Sequence, residues 1–84
     1  MNLQQIFTVR LKDARKRRKL SQEALGIAIG LDESVASTRI NRYENGIHQP
    51  DWGTLAKIAE VLQVPPAYFF ADDDLAKQLL DMAS

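Results

Sequence analysis

The sequence predicts an all-α fold, and three observations carry that reading. Apolar residues recur at three- and four-residue steps along most of the chain. Residues suited to capping helix amino ends (Ser21, Asp32, Asp51) stand in front of such stretches, while Gly30 and Gly46 stand behind two of them. No segment shows the two-residue alternation of a half-buried strand. With 84 residues, 45% of them hydrophobic, the chain holds enough apolar material for one modest core, so residues 1–84 read as a single domain.

A first helix is expected over residues 4–18. Leu3, Phe7 and Leu11 are four-residue steps on one face, with Ile6 and Val9 beside them, and Lys16-Arg17-Arg18-Lys19 suits the negative end of the helix dipole. Ser21 caps a short second helix with Glu23 in its first turn, Leu25, Ala28 and Ile29 as its apolar positions, and Gly30 as its stop. Gly26 lies inside this helix, where glycine costs about 1 kcal/mol relative to alanine. The compensation expected is close approach of another helix at that position.

Asp32 caps a third helix over residues 33–45, ended by Gly46. Val35, Ala36, Ile40 and Tyr43 are expected to pack, leaving Ser37, Thr38, Asn41 and Arg42 largely on the other side. A loop, Gly46-Ile47-His48-Gln49-Pro50, leads to Asp51, the cap of a fourth helix over residues 52–62 with the stripe Leu55, Ile58, Ala59 and Leu62. Val64-Pro65-Pro66 breaks the chain, and Pro66 opens a short fifth helix ending near Phe70. Asp72-Asp73-Asp74 then opens a sixth over about 72–83. Its apolar stripe, Leu75, Leu79, Leu80 and Met82, either closes the domain's own core or forms a dimer seam. A terminal helix beyond five others favours the seam.

Several function classes are disfavoured. There is no cysteine, hence no disulfide, thiolate metal site or thiol nucleophile. His48 has no second histidine to help it hold a metal and reads as a loop residue. The three consecutive aspartates lack the alternation of a calcium loop and read as a helix start. No spaced carboxylate constellation points to acid–base catalysis, so no enzyme, metal, cofactor or small-molecule site is expected. Trp52 and Tyr43 are expected in the core. No apolar run approaches the roughly 20 residues of a membrane span, and the amino end lacks the basic-then-apolar order of a signal peptide, so a cytoplasmic location is expected.

The net charge of zero hides an asymmetry. Residues 1–42 hold nine Lys/Arg against four acids, and residues 43–84 hold two against seven. The first half therefore supplies positive charge suited to phosphates. A helix capped at Ser21, a glycine turn and a second helix with a polar face together form the arrangement of a helix-turn-helix spanning about 21–45. In that motif the second helix lies in the major groove of double-stranded DNA.

Leu20-Ser21-Gln22-Glu23-Ala24-Leu25, Gly30, Ile40-Asn41-Arg42-Tyr43-Glu44-Asn45-Gly46 and Pro50 resemble the lambda-repressor/Cro-like (XRE-type) helix-turn-helix family. Leu55-Ala56-Lys57-Ile58-Ala59-Glu60-Val61-Leu62-Gln63-Val64 resembles that family's fourth helix, and the likeness covers roughly residues 5–70. The resemblance implies a five-helix DNA-binding domain, here with an additional carboxyl-terminal helix, acting as a homodimeric transcriptional regulator and more often a repressor that occupies its operator. It implies a DNA-backbone contact for Gln22 and groove-facing roles for Ser37, Thr38, Asn41 and Arg42, with Arg39 beside them. It implies phosphate approach at Asn45 and Gly46, and an ion pair between Arg15 and Glu44. Arg17 and Arg18 are candidate phosphate contacts by their position beside the motif. Arg42 has the chemistry for guanine and Asn41 for adenine.

One departure from the family pattern stands out. Gly30 to Glu44 is longer than the usual spacing by about four residues, close to one helical turn. Either the third helix is extended at its amino end or the turn is enlarged, which brings Glu33 and Ser34 near the DNA. Two alternatives remain open: an antitoxin or restriction–modification controller on the same fold, and a protein-interaction module that has lost DNA binding.

Overall fold

A computed structural model describes residues 1–83. Among the described residues there are five α-helices, one 3-10 helix and no strand: α1 (Leu3–Arg17), α2 (Gln22–Ala28), α3 (Glu33–Glu44), α4 (Trp52–Leu62), the 3-10 helix Pro66–Phe70, and α5 (Asp73–Ala83). The all-α expectation holds, with the short fifth helix taking the tighter 3-10 form.

Local chemistry sets the boundaries. α1 begins one residue before the expected start because Asn2 and Gln5 form a reciprocal cap. The Asn2 side chain accepts from the Gln5 backbone N–H at 2.8 Å, and the Gln5 side chain accepts from that of Asn2 at 2.9 Å. Ser21, Asp32 and Asp51 cap α2, α3 and α4, accepting from the backbone N–H groups of Ala24, Ser34 and Thr54. α2 ends at Ala28, and Gly30 just beyond it turns the chain with a φ of +96°, which residues with a side chain adopt only at a cost. Asp72 caps α5 by accepting from Leu75 N–H at 2.9 Å.

One hydrophobic cluster joins all the elements. Leu11, Leu25, Ile40, Ile58, Leu62 and Phe69 are its largest fully enclosed side chains. The 3-10 helix docks on α1 through rings: Phe69 lies 5.7 Å from Phe7, and Phe70 stacks on Phe7 at 6.1 Å. Helices α2 and α3 pack at Gly26, where an added Cβ would lie 2.6 Å from Ala36 Cβ. The expected close approach is present, and its partner is Ala36.

Several expected core positions are at the surface. Trp52 is 79% exposed: its spacing from Leu55 and Ala59 puts it in line with the buried stripe, but it lies in the first turn of α4, one residue after the cap, at the open end of that stripe. Val35 is exposed for a different reason: Ala36 and Ile40 define the buried face of α3, and Val35 sits about 100° away from Ala36. Leu3, Val9 and Ala28 are exposed as well. Conversely Arg10, counted above among the basic residues, is buried. Its Nε donates to the Ala71 carbonyl at 3.0 Å and its Nη2 to Asp73 at 2.7 Å, fastening α5 to α1.

Candidate nucleic-acid interface

Four residues, 29–32, separate α2 from α3, and α3 then runs for 12 residues. The extra length in this region is therefore helix, with no enlargement of the turn. At 1.5 Å per residue α3 is about 18 Å long.

Ala36, Ile40, Tyr43 and Glu44 form its buried face. By the 100° step of a helix, Ser34, Thr38, Asn41, Arg42 and Asn45 lie on the opposite side, flanked by Ser37 and Arg39. All seven are exposed. Asn45 Nδ2 donates to the Asn41 carbonyl at 2.9 Å and to Asn41 Oδ1 at 3.2 Å, which fixes the Asn41 amide. Ser34 is turned back: its hydroxyl and backbone N–H both donate to Asp32 Oδ2. Those two bonds, the hydroxyl's first, hold the Asp32 carboxyl below its ordinary pKa. The site thus presents Ser34 as part of a cap.

A buried network holds this helix in place. Arg15 Nε donates to Glu44 Oε2 at 2.5 Å and Nη2 to Oε1 at 3.1 Å, while Nη1 reaches the Leu20 carbonyl at 2.9 Å. Gln22 Nε2 donates to Glu44 Oε1 at 3.1 Å. One carboxylate near the end of α3 is thereby tied to α1 and to the first residue of α2. The Glu44 side chain is only 4% exposed, so these partners replace the water it has lost. The structure therefore brings Gln22 together with Arg15 and Glu44.

Arg17 and Arg18 are exposed at the end of α1. Of the nine basic residues in the first half, Arg10 and Arg15 are committed to Asp73 and Glu44, both acids of the second half. The other seven, Lys12, Lys16, Arg17, Arg18, Lys19, Arg39 and Arg42, remain exposed. Gly46, at φ +72°, turns the chain out of α3, and its carbonyl accepts from Gln4 Nε2 at 2.8 Å.

Two residues outside the expected set also belong to this surface. His48 and Gln49 line a polar cleft of about 350 Å³ with Arg39, Arg42 and Tyr43. The sequence places His48 in a loop but does not reveal that the loop folds back. Ile47 N–H donates to the Arg42 carbonyl at 3.0 Å, and that bond brings His48 to the helix. On the other side of Gln49, an apolar cleft of similar volume is lined by Leu3, Phe7, Trp52, Leu55 and Phe70.

The expected dimer residues divide. Leu75 and Met82 are exposed, whereas Leu79 and Leu80 are half-buried against the core. Among the described residues no group of acids and histidine is placed to hold a metal ion, and no helix is long and apolar enough to cross a membrane.

Comparison with known proteins places this geometry. A family model described as helix-turn-helix matches residues 11–69. The chain is 38% identical over 63 residues to the uncharacterized HTH-type transcriptional regulator y4aM of Sinorhizobium fredii (strain NBRC 101917 / NGR234), covering 75% of this chain and 41% of the relative. It is 30% identical over 78 residues to the uncharacterized HTH-type transcriptional regulator YqaE of Bacillus subtilis (strain 168), covering 93% and 64%. The chain thus spans less than two thirds of the length of either relative. The crystal structure of transcriptional regulator BswR superposes with a TM-score of 0.86 at 45% identity, covering 92% of this chain and 77% of that one.

Proposed function

The chain belongs to the XRE-type helix-turn-helix family of transcriptional regulators, and from that premise we propose that it represses transcription by occupying an operator. DNA binding follows from the family. The finer reading is that residues 1–84 act as one DNA-binding domain, with α3 in the major groove and α2 across the backbone.

The observation that carries it is the Arg15–Glu44–Gln22 network. It fixes α3 to α1 and α2 through the buried side of the helix, which leaves the opposite side held rigid with Thr38, Asn41 and Arg42 outward. A helix held in this way leaves only its outward side chains to be ordered when they meet base edges. Gln22, Ser37, Asn45, Arg17 and Arg18 are assigned to the phosphates on either side, and Ser34 to the near end of the helix.

A homodimer on two half-sites about 34–36 Å apart suits this family geometry. Leu75 and Met82, exposed on α5 beside the half-buried Leu79 and Leu80, are the proposed seam. Selection of bound sequences from a random duplex pool, with retention followed against salt, tests the reading. Enrichment of a two-fold symmetric site with steep salt dependence is expected. Retention without enrichment would reduce the protein to a phosphate binder, and no retention at low salt would favour a protein-interaction module.

A further inference from the structure

The polar cleft beside the carboxyl end of α3 collects positive charge with no acid to balance it. Arg39 and Arg42, neighbours at a three-residue step, meet His48 from the returning loop; Tyr43 and Gln49 complete the lining, and no carboxylate takes part. Neither arginine joins an ion pair among the described residues. Cations gathered this closely repel one another, and an oxyanion among them turns that repulsion into attraction. The two arginines also differ in position. Arg42 stands nearer the middle of the exposed face of α3, and Arg39 stands at its flank.

Resting on the DNA-binding reading above, we propose that Arg39 and His48 together grip one phosphodiester of the DNA backbone, and that the grip tightens when the His48 ring is protonated. Arg42, at the inner rim, is left to the base edges. Arg39 supplies a guanidinium fork suited to a phosphate's paired oxygens. Neutral imidazole has one N–H donor and imidazolium has two with a full charge, so protonation adds an ionic contact where there was a neutral one. His48 is the only histidine in the chain, and histidine is the side chain that ordinarily changes charge between pH 5 and 8. Phosphate contact and protonation of the ring are therefore linked, and affinity rises as pH falls.

Salt dependence reads this directly, because each neutralised phosphate adds about 0.9 to the slope of log affinity against log salt. A labelled random-sequence duplex suffices as probe, since the contact carries no sequence information. From about pH 7.5 to about pH 5.5 the unaltered protein should gain about 0.9 in slope. His48→Gln should keep the shallower slope at both pH values, and His48→Arg the steeper slope at both. His48 is exposed, so neither variant threatens the fold. Binding with the same pH response in the unaltered protein and His48→Gln overturns the cleft while leaving DNA binding intact. Failure of every variant to bind duplex at low salt removes the DNA-binding reading and the cleft with it. If inorganic phosphate shifts the His48 ring resonances without DNA while the duplex slopes ignore pH, the cleft takes free phosphate and the assignment to DNA is overturned.

Discussion

Gly26 and Ala36 bring α2 and α3 into backbone contact: a Cβ added at Gly26 would lie 2.6 Å from Ala36 Cβ and 2.8 Å from both Ala36 Cα and its carbonyl oxygen. No rotamer relieves a clash with backbone. Gly26→Ala should therefore cost about 1–3 kcal/mol of overpacking, offset by the roughly 1 kcal/mol that alanine gains over glycine within a helix. The expected outcome is a lower denaturation midpoint, only partly restored by Ala36→Gly, which removes the Cβ but neither backbone atom. A raised midpoint in Gly26→Ala would show that the helices separate without cost.

Glu44 is the shared acceptor of Arg15 and Gln22, and its removal strands a guanidinium that is itself only 11% exposed. Breaking a buried pair by deleting one partner typically costs about 3–5 kcal/mol. Glu44→Ala should lose stability on that scale and Glu44→Gln, which keeps an acceptor for Arg15, less. Thermal melting of the two variants beside Arg15→Ala measures it. Additive losses in the Arg15–Glu44 double variant would contradict the coupling.

Asp32 and Asp51 are helix caps whose carboxyls sit below their ordinary value of 3.8. In Asp32 the Ser34 hydroxyl is the leading cause, and in Asp51 the Thr54 backbone N–H is. A depressed folded value means that the unfolded chain binds the proton more readily. The stabilisation is then present above about 3.8 and is lost as pH falls below it. Melting temperature should fall through that window, and the Asp32→Asn, Asp51→Asn double variant should show a smaller fall, because a neutral amide oxygen still caps. An identical acid limb in that variant would remove the two caps as contributors.

These features differ in how far they could be read from the sequence. Local rules located Ser21, Asp32 and Asp51 as caps, because each depends on neighbours within a few residues, and Gly26 as a close approach, because glycine inside a helix is costly without one, though its partner Ala36 lies on the next helix. The α4 stripe of Leu55, Ile58, Ala59 and Leu62 is buried as its spacing indicates. Trp52 went the other way: its three-residue step to Leu55 aligns it with the stripe, but in the first turn of α4 it lies at the open end and is exposed. Arg10 lies three residues from Phe7 and four from Ala14, so helical periodicity does put it on the buried face. Its charge outweighed that signal, and its partners, Ala71 and Asp73, are more than 60 residues away. His48 depended on a loop reversal set by Gly46 and the Arg42 carbonyl, which no short-range pattern encodes. The extra residues before Glu44 were visible as a length, and the 12-residue span of α3 takes them up.

The claim that the outward face of α3 reads bases is tested most directly by running the random-duplex selection in parallel on the unaltered protein and on Arg42→Ala. Arg42 is exposed, so the variant should melt as the parent does. A symmetric enriched site is expected for the parent. Arg42→Ala should lose about 1–3 kcal/mol on that site, with preference relaxed at one position in each half-site and the spacing unchanged. The same enriched sequence bound with the same affinity by both proteins would contradict that claim.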